Sequence, residues 1–198
     1  MKEEHPVVGR LASALRPKPT IGPESQATAA WKQGAAGELR VAEILNGLKG
    51  ISALHDRRIP GSKANIDHVA VGPAGVYVID AKKYTGGVEK RNVGGWFRAD
   101  ERLYVGGRDR SKVIDGVRWQ AEVVQACLAT AQARISVYGV VCFVGAEWPL
   151  VFRRPVQMRG VTALWPKALG ELVGKTGPLD RTVIDQTTDL LAAILKPA

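Results

Sequence analysis

Several features that mark large protein classes are missing from this chain. Only two cysteines, Cys127 and Cys142, occur in 198 residues. They stand apart in apolar surroundings and no C-x-x-C is present, which argues against a zinc knuckle or a redox pair. Two such thiols suit a reducing cytosol. No run is long and apolar enough to span a bilayer. The stretch Met1 to Pro19 is polar and proline-containing and lacks the apolar run of a secretory signal. Basic amphipathic helices and lipidation motifs are absent too, so no membrane partner is expected and the expected location is the cytoplasm. There is no phosphate-cradling P-loop, and no serine sits in a nucleophile-elbow context. The glycine pairs, such as Gly86-Gly87, are turns rather than a dinucleotide fingerprint, because no helix follows them. Negative charge is in short supply, with 19 Asp+Glu against 28 Lys+Arg and a formal net charge of +9. A basic surface attracts polyanions through many salt-sensitive phosphate contacts, so nucleic acid is the first partner to consider. The plain alternative is a solvated basic surface with no partner.

What is present reads as one ordinary globular domain. Hydrophobic residues make up 45% and charged residues 24%, and the length allows a sizeable core without disulfides or structural metal. Residues 1–26, with Pro6, Pro17, Pro19 and Pro23, read as a flexible arm, whose Arg10, Arg16 and Lys18 are solvated or touch phosphate. Residues 27–145 carry the core of the domain, and residues 146–198 read as its helical completion. Ala27 to Leu48 has helical spacing, with Gly34 and Gly37 weakening its first half and Gly50 as a stop. The period then changes to that of strands at Ile51–Ile59, Asn65–Val71 and Val76–Lys83. The short linker Gly72-Pro73-Ala74-Gly75 predicts an antiparallel hairpin between the second and third of these. Tyr84 to Gly107 reads as a glycine-punctuated flap of short strands around Val88, Trp96-Phe97 and Leu103-Tyr104-Val105. A helix follows over Ser111–Gln132, then a strand over Ser136–Val144 buried on both faces. One or two closing helices are expected around Gly170 and Gly174. The order helix, three strands, helix, strand gives an α/β domain with a mixed sheet.

The chemistry concentrates in the expected hairpin. Side chains alternate along a strand, so Asp80 and Lys82 share one side with Val76 and Val78. The strand therefore runs from apolar core into two charges at its end. An unpaired buried carboxylate is very costly, so Asp80 needs a partner. A local Asp–Lys ion pair is the plain reading. Asp67 changes the picture, because the hairpin brings it toward Asp80 across the strand pair. Two carboxylates so placed repel each other, and a hard divalent cation such as Mg²⁺ resolves the repulsion. Glu38 adds a carboxylate from the helix upstream, although a glutamate on a helix face is by itself most often solvated. His68 alternates away from Asp67 and is not expected to be a ligand. His55-Asp56 has the form of a catalytic dyad but reads better as a strand cap.

A glutamate on a first helix, an aspartate on a strand and (Asp/Glu)-x-Lys on the next strand resemble the restriction-endonuclease-like, or PD-(D/E)xK, nucleases. More narrowly, the chain resembles the NERD (nuclease-related) domain in three segments. These are Gly34-Ala35-Ala36-Gly37-Glu38, Asn65-Ile66-Asp67-His68-Val69-Ala70-Val71-Gly72, and Gly75-Val76-Tyr77-Val78-Ile79-Asp80-Ala81-Lys82-Lys83-Tyr84-x-Gly86. The likeness covers roughly Trp31 to Leu128. It implies a restriction-endonuclease-like mixed sheet flanked by helices, and a nuclease that uses Mg²⁺ or Mn²⁺ on DNA, with RNA also open. It implies that Asp67, Asp80 and the Ala81 carbonyl bind metal, that Glu38 binds it directly or through water, and that Lys82 orients or deprotonates the attacking water. Gln120 occupies a position where related nucleases often place a glutamine near the site; the alternative is an ordinary polar helix residue. The family usually has Glu where this chain has Asp80, a shorter carboxylate that bears on metal geometry. A binding module that keeps the fold and the basic surface without the chemistry is the second functional reading.

Overall fold

The computed structural model describes residues 26–95, 98–149 and 154–198. The expected arm lies, but for Gln26, outside the described residues, as do Trp96 and Phe97 of the expected flap.

Helix α1 (Gln26–Gly47) runs unbroken through Gly34 and Gly37, and buries Val41 and Leu45 against the sheet. The helix-weakening glycines are tolerated because that apolar face docks, and tertiary packing outweighs local propensity. Strands β1 (Ser52–Arg58), β2 (Asn65–Gly72) and β3 (Gly75–Lys82) form an antiparallel meander. The β2–β3 hairpin closes through Pro73-Ala74 with Gly72 opposite Gly75, as the linker composition predicts. The flap consists of β4 (Gly86–Asn92), β5 (Glu101–Val105) and β6 (Arg108–Asp109). Helix α2 (Ser111–Thr130) then leads to β7 (Val137–Phe143), which pairs parallel to β3 and is buried from Gly139 onward.

The segment after β7 supplies strands as well as the expected helices. They are β8 (Ala146–Glu147), β9 (Val156–Met158) and β10 (Val161–Leu164), followed by α3 (Pro166–Val173) and α4 (Arg181–Ile194). These strands span two to four residues each, too short for a period-2 pattern to announce them.

The main sheet has the order β1-β2-β3-β7-β10-β9, with β3, β7 and β10 parallel and the other pairings antiparallel. Helices α1 and α3 cover one face and α2 and α4 the other. A smaller sheet, β6-β5-β4-β8, stands on the α2 side, where Val88, Leu103 and Val105 pack with Phe143 and Ile114. The result is a mixed sheet between helical layers, consistent with a restriction-endonuclease-like fold. Among the described residues no helix is long and apolar enough to cross a membrane.

Candidate active site

Strand alternation builds the floor of the site. On β3, Tyr77, Ile79 and Ala81 pack under α1 and α3, while Val76 and Val78 pack under α2 and α4. The same alternation carries Asp80 and Lys82 to the α2 face, where the apolar core gives out. On β2, Val69 and Val71 share that core, and Val69 stands opposite Val78. One step outward on the same face, Asp67 therefore stands opposite Asp80. The carboxylate of Asp67 is held in place by the Ala81 N–H, which donates to its Oδ2 at 2.9 Å.

Lys82 closes the group. Its Nζ donates to Asp80 Oδ1 at 2.5 Å, lies 3.7 Å from Asp67 Oδ2 and reaches the Ala81 carbonyl at 3.4 Å. Asp80 is buried, with 8% of its surface exposed. Burial first, and then the charge of Asp67, push its carboxyl above the usual carboxylate range, and Lys82 offsets this only in part. For Lys82, burial pulls the ammonium down, but Asp80 and Asp67 more than compensate and hold it above the ordinary lysine value. Two carboxylates facing one ammonium leave this end of the sheet with an excess of negative charge in a poorly solvated place. Such a place attracts a cation. Asp67, Asp80 and the Ala81 carbonyl present hard oxygen donors, and a small divalent ion that keeps several of its waters suits that set.

Glu38 reaches the same sheet end from the opposite helical layer. Gly37 eases the approach: a Cβ there would lie 3.2 Å from the Cβ of Lys83, a tight contact where α1 passes over the end of β3. Partial burial and then the charge of Asp67 raise the pKa of Glu38, with Lys82 opposing and Asp56 adding. Glu38 nevertheless stands at the rim. Among the described residues no three His, Cys, Asp or Glu side chains converge closely enough to hold one metal ion together. The structure thus brings Asp67, Asp80 and Lys82 into contact and places Glu38 within electrostatic reach.

The remaining expected residues fall as follows. Gln120, on α2, donates from Nε2 to the Asn65 carbonyl at 3.1 Å, close behind Asp67 on β2, and its Oε1 is buried without a partner. His68 lies on the α1 side of β2, away from Asp67, with its Nδ1 2.9 Å from that of His55. Burial first, then His55, pull its pKa down to about 4, so it is neutral. The second nitrogen of His55 lies 3.0 Å from Asn46 Oδ1, so His55 ties β1 to α1 and forms no dyad with Asp56. Asp56 instead adopts the left-handed conformation (φ 47°) and accepts from Asn65 Nδ2 at 3.3 Å.

A cleft of about 750 Å³ opens beside this group, lined by Glu38, by Tyr84, Arg108 and Arg110, and by Ala81 and Lys82, while Asp67 and Asp80 lie behind Lys82 and do not line it. The flap comes this close through two glycines. A Cβ on Gly86 would lie 2.6 Å from Gly106 Cα, and one on Gly106 would lie 2.5 Å from Thr85 O, so the two backbones cross at a distance no other residue allows. Sequence reasoning missed Tyr84, Arg108 and Arg110 as members of the site. The available signal was faint: a tyrosine just after Asp80-Ala81-Lys82-Lys83, and two arginines alternating about Asp109 beyond a glycine pair.

The model of the nuclease-related domain matches residues 33–144. The chain belongs to the nuclease-related domain (NERD) family. The matched span takes in Glu38, the whole β2–β3 hairpin, the flap and Gln120, so both the acidic floor and the basic wall of the cleft belong to the NERD domain. The strands β9 and β10 and the helices α3 and α4 lie beyond it. Neither among curated proteins nor among solved structures is there a match to the chain.

Proposed function

We propose that this NERD protein is a metal-dependent nuclease that hydrolyses phosphodiester bonds, with DNA as the first substrate and RNA also accessible. The observation that carries the reading is the convergence of Asp67, Asp80 and Lys82 on one face at the end of β2 and β3, beside a cleft that Lys82 lines together with Arg108 and Arg110. Structural ion pairs occur at strand ends, but they do not require two carboxylates against one ammonium. Two unpaired cysteines fit action in the cytoplasm.

Phosphodiester hydrolysis needs a water in line with the leaving oxygen and positive charge where the phosphoryl group gains negative charge. Mg²⁺ or Mn²⁺ held by Asp67, Asp80 and the Ala81 carbonyl would supply Lewis-acid charge and an activated water. Lys82, protonated and tethered to Asp80, presents its ammonium to the attacked phosphate and orients the water oxygen toward phosphorus. Asp67, fixed by the Ala81 N–H, holds its oxygens in position without rearrangement. Glu38, at the rim, would hold a water from the α1 side. The bond from water oxygen to phosphorus forms as the water gives up a proton to solvent, the bond to the leaving oxygen breaks, and the leaving oxygen takes a proton from solvent.

A second reading, a nucleic-acid-binding module without chemistry, draws on the rim position of Glu38 and the absence of a third converging acidic ligand among the described residues. Labelled single- and double-stranded DNA, and RNA, incubated with the full chain in Mg²⁺, Mn²⁺ or EDTA, separate the two. The nuclease reading expects cleavage with either metal and none in EDTA. Retention of every substrate on the protein without a cut in any metal selects the binding module.

A further inference from the structure

Around the flap, two groups of arginines can be told apart. Those on the outer side of the flap are neutralised: Arg102 pairs with Asp100 at 2.8 Å and with Asp109 at 3.2 Å, and Arg159 pairs with Asp115 at 2.7 Å. Those lining the cleft are not. Among the described residues Arg108, Arg110 and Lys83 have no carboxylate partner. Alternation about β6 separates the groups, sending Asp109 outward to Arg102 and leaving Arg108 and Arg110 along the cleft.

Arg110 is also held in a defined plane. Its guanidinium lies 4.3 Å from the centre of the Tyr84 ring, and Tyr84 in turn stacks at 5.8 Å on Phe143, which is fully buried. The Arg110 backbone N–H is fixed to the Leu103 carbonyl at 2.7 Å. Its Nε is buried and has no partner. Tyr84 and Arg110 line the same cleft as Lys82. A planar cation kept in place by stacking, with N–H donors left unused, is arranged for bidentate recognition of an anion with paired oxygens.

We propose that Arg110, stacked on Tyr84, and Arg108 beside it form a phosphate clamp that holds the nucleic-acid backbone in the cleft at a phosphate other than the one over Lys82. The proposal rests on reading the cleft as a nucleic-acid site and deepens it by assigning the residues that set the register of the strand. Floor and clamp then divide the work: the floor attracts a cation, and the wall supplies fixed positive charge for a phosphate that is not cut. Arg102, already neutralised, takes no part.

The test measures binding of a short labelled DNA by the full chain in EDTA, over a range of salt, and cleavage of the same DNA in Mn²⁺. Arg110→Ala and Arg108→Ala should each weaken binding about tenfold and lower the slope of log affinity against log salt by about 1. Arg110→Lys should restore the salt slope but only part of the affinity, because lysine lacks the planar fork. In cleavage, Arg110→Ala should raise KM while kcat stays within a few-fold. Thermal midpoints control for folding, and Arg102→Ala, whose side chain pairs with Asp100 and Asp109 outside the cleft, should resemble the parent in affinity and salt slope. An unchanged salt slope in a folded Arg110→Ala overturns the clamp even if the parent cuts. A lowered slope with no cleavage in any metal leaves the clamp standing and removes the nuclease reading. A parent that binds no DNA or RNA overturns both.

Discussion

The floor and the wall of the cleft contrast in charge and in how they are made. The floor is a single hairpin in which Asp67, Asp80 and Lys82 meet through strand register, with ammonium and carboxylates already in contact. The wall comes from a glycine-hinged flap, where Arg108 and Arg110 carry charge that no carboxylate among the described residues meets. A partly desolvated excess of acid beside a fixed excess of base suits a phosphodiester, which brings negative charge to both and needs a cation at only one. On the proposed reading, affinity and chemistry reside on different elements and can be separated by substitution.

The largest expected effect is on the floor. Lys82→Ala should lower the single-turnover cleavage rate by about 10²–10³-fold, the range found when one preorganised charge is removed from a transition state. DNA affinity should change little, and a thermal melt should confirm that the protein is folded. A variant that cuts at the parent rate means that Lys82 is only the structural partner of Asp80.

Next comes the response to cations. An ion that binds only the folded state stabilises it by about 2.7 kcal/mol at a hundredfold excess over its dissociation constant. Mn²⁺ should therefore raise the thermal midpoint of the parent by several degrees and that of Asp67→Asn by much less. An equal rise in both places the metal elsewhere. Gly37→Val tests how α1 is carried across the end of β3. A branched side chain there meets the Lys83 Cβ, tilts Glu38 away and should cost roughly tenfold in cleavage, in keeping with the sensitivity of catalysis to small displacements. The smallest effect should be that of Arg102→Ala. Its ion pairs are open to solvent and screened by it, so cleavage and DNA affinity should stay within about twofold of the parent. A loss at Arg102 as large as that at Arg110 would erase the distinction between the two groups of arginines.

How legible these parts were in the sequence follows the same division. The floor could be read because its residues lie within one hairpin, where period 2 and a short turn fix which side chains share a face. Val69 opposite Val78 was enough to bring Asp67 to Asp80. Glu38 was legible only through its family resemblance, since nothing local shows that Gly37 lets α1 slide over Lys83. Gly34 and Gly37 read locally as a point where the helix breaks, whereas packing of Val41 and Leu45 keeps it whole. The wall was not legible. Arg110 belongs to the site through stacking on Tyr84, which itself stacks on Phe143 of β7, and no spacing in the sequence encodes that. The strands β9 and β10 were missed for a similar reason, as each is defined by its partners across the sheet rather than by its own short run.

The central claim is that the floor performs the chemistry while binding resides elsewhere. It is tested most directly by measuring, on the same labelled DNA, both the dissociation constant in EDTA and the single-turnover cleavage rate in Mn²⁺ for the parent and for Asp80→Asn. The account predicts a parent that cuts and an Asp80→Asn protein that binds DNA within a few-fold of the parent yet leaves it intact. Cleavage by Asp80→Asn at or near the parent rate would contradict it.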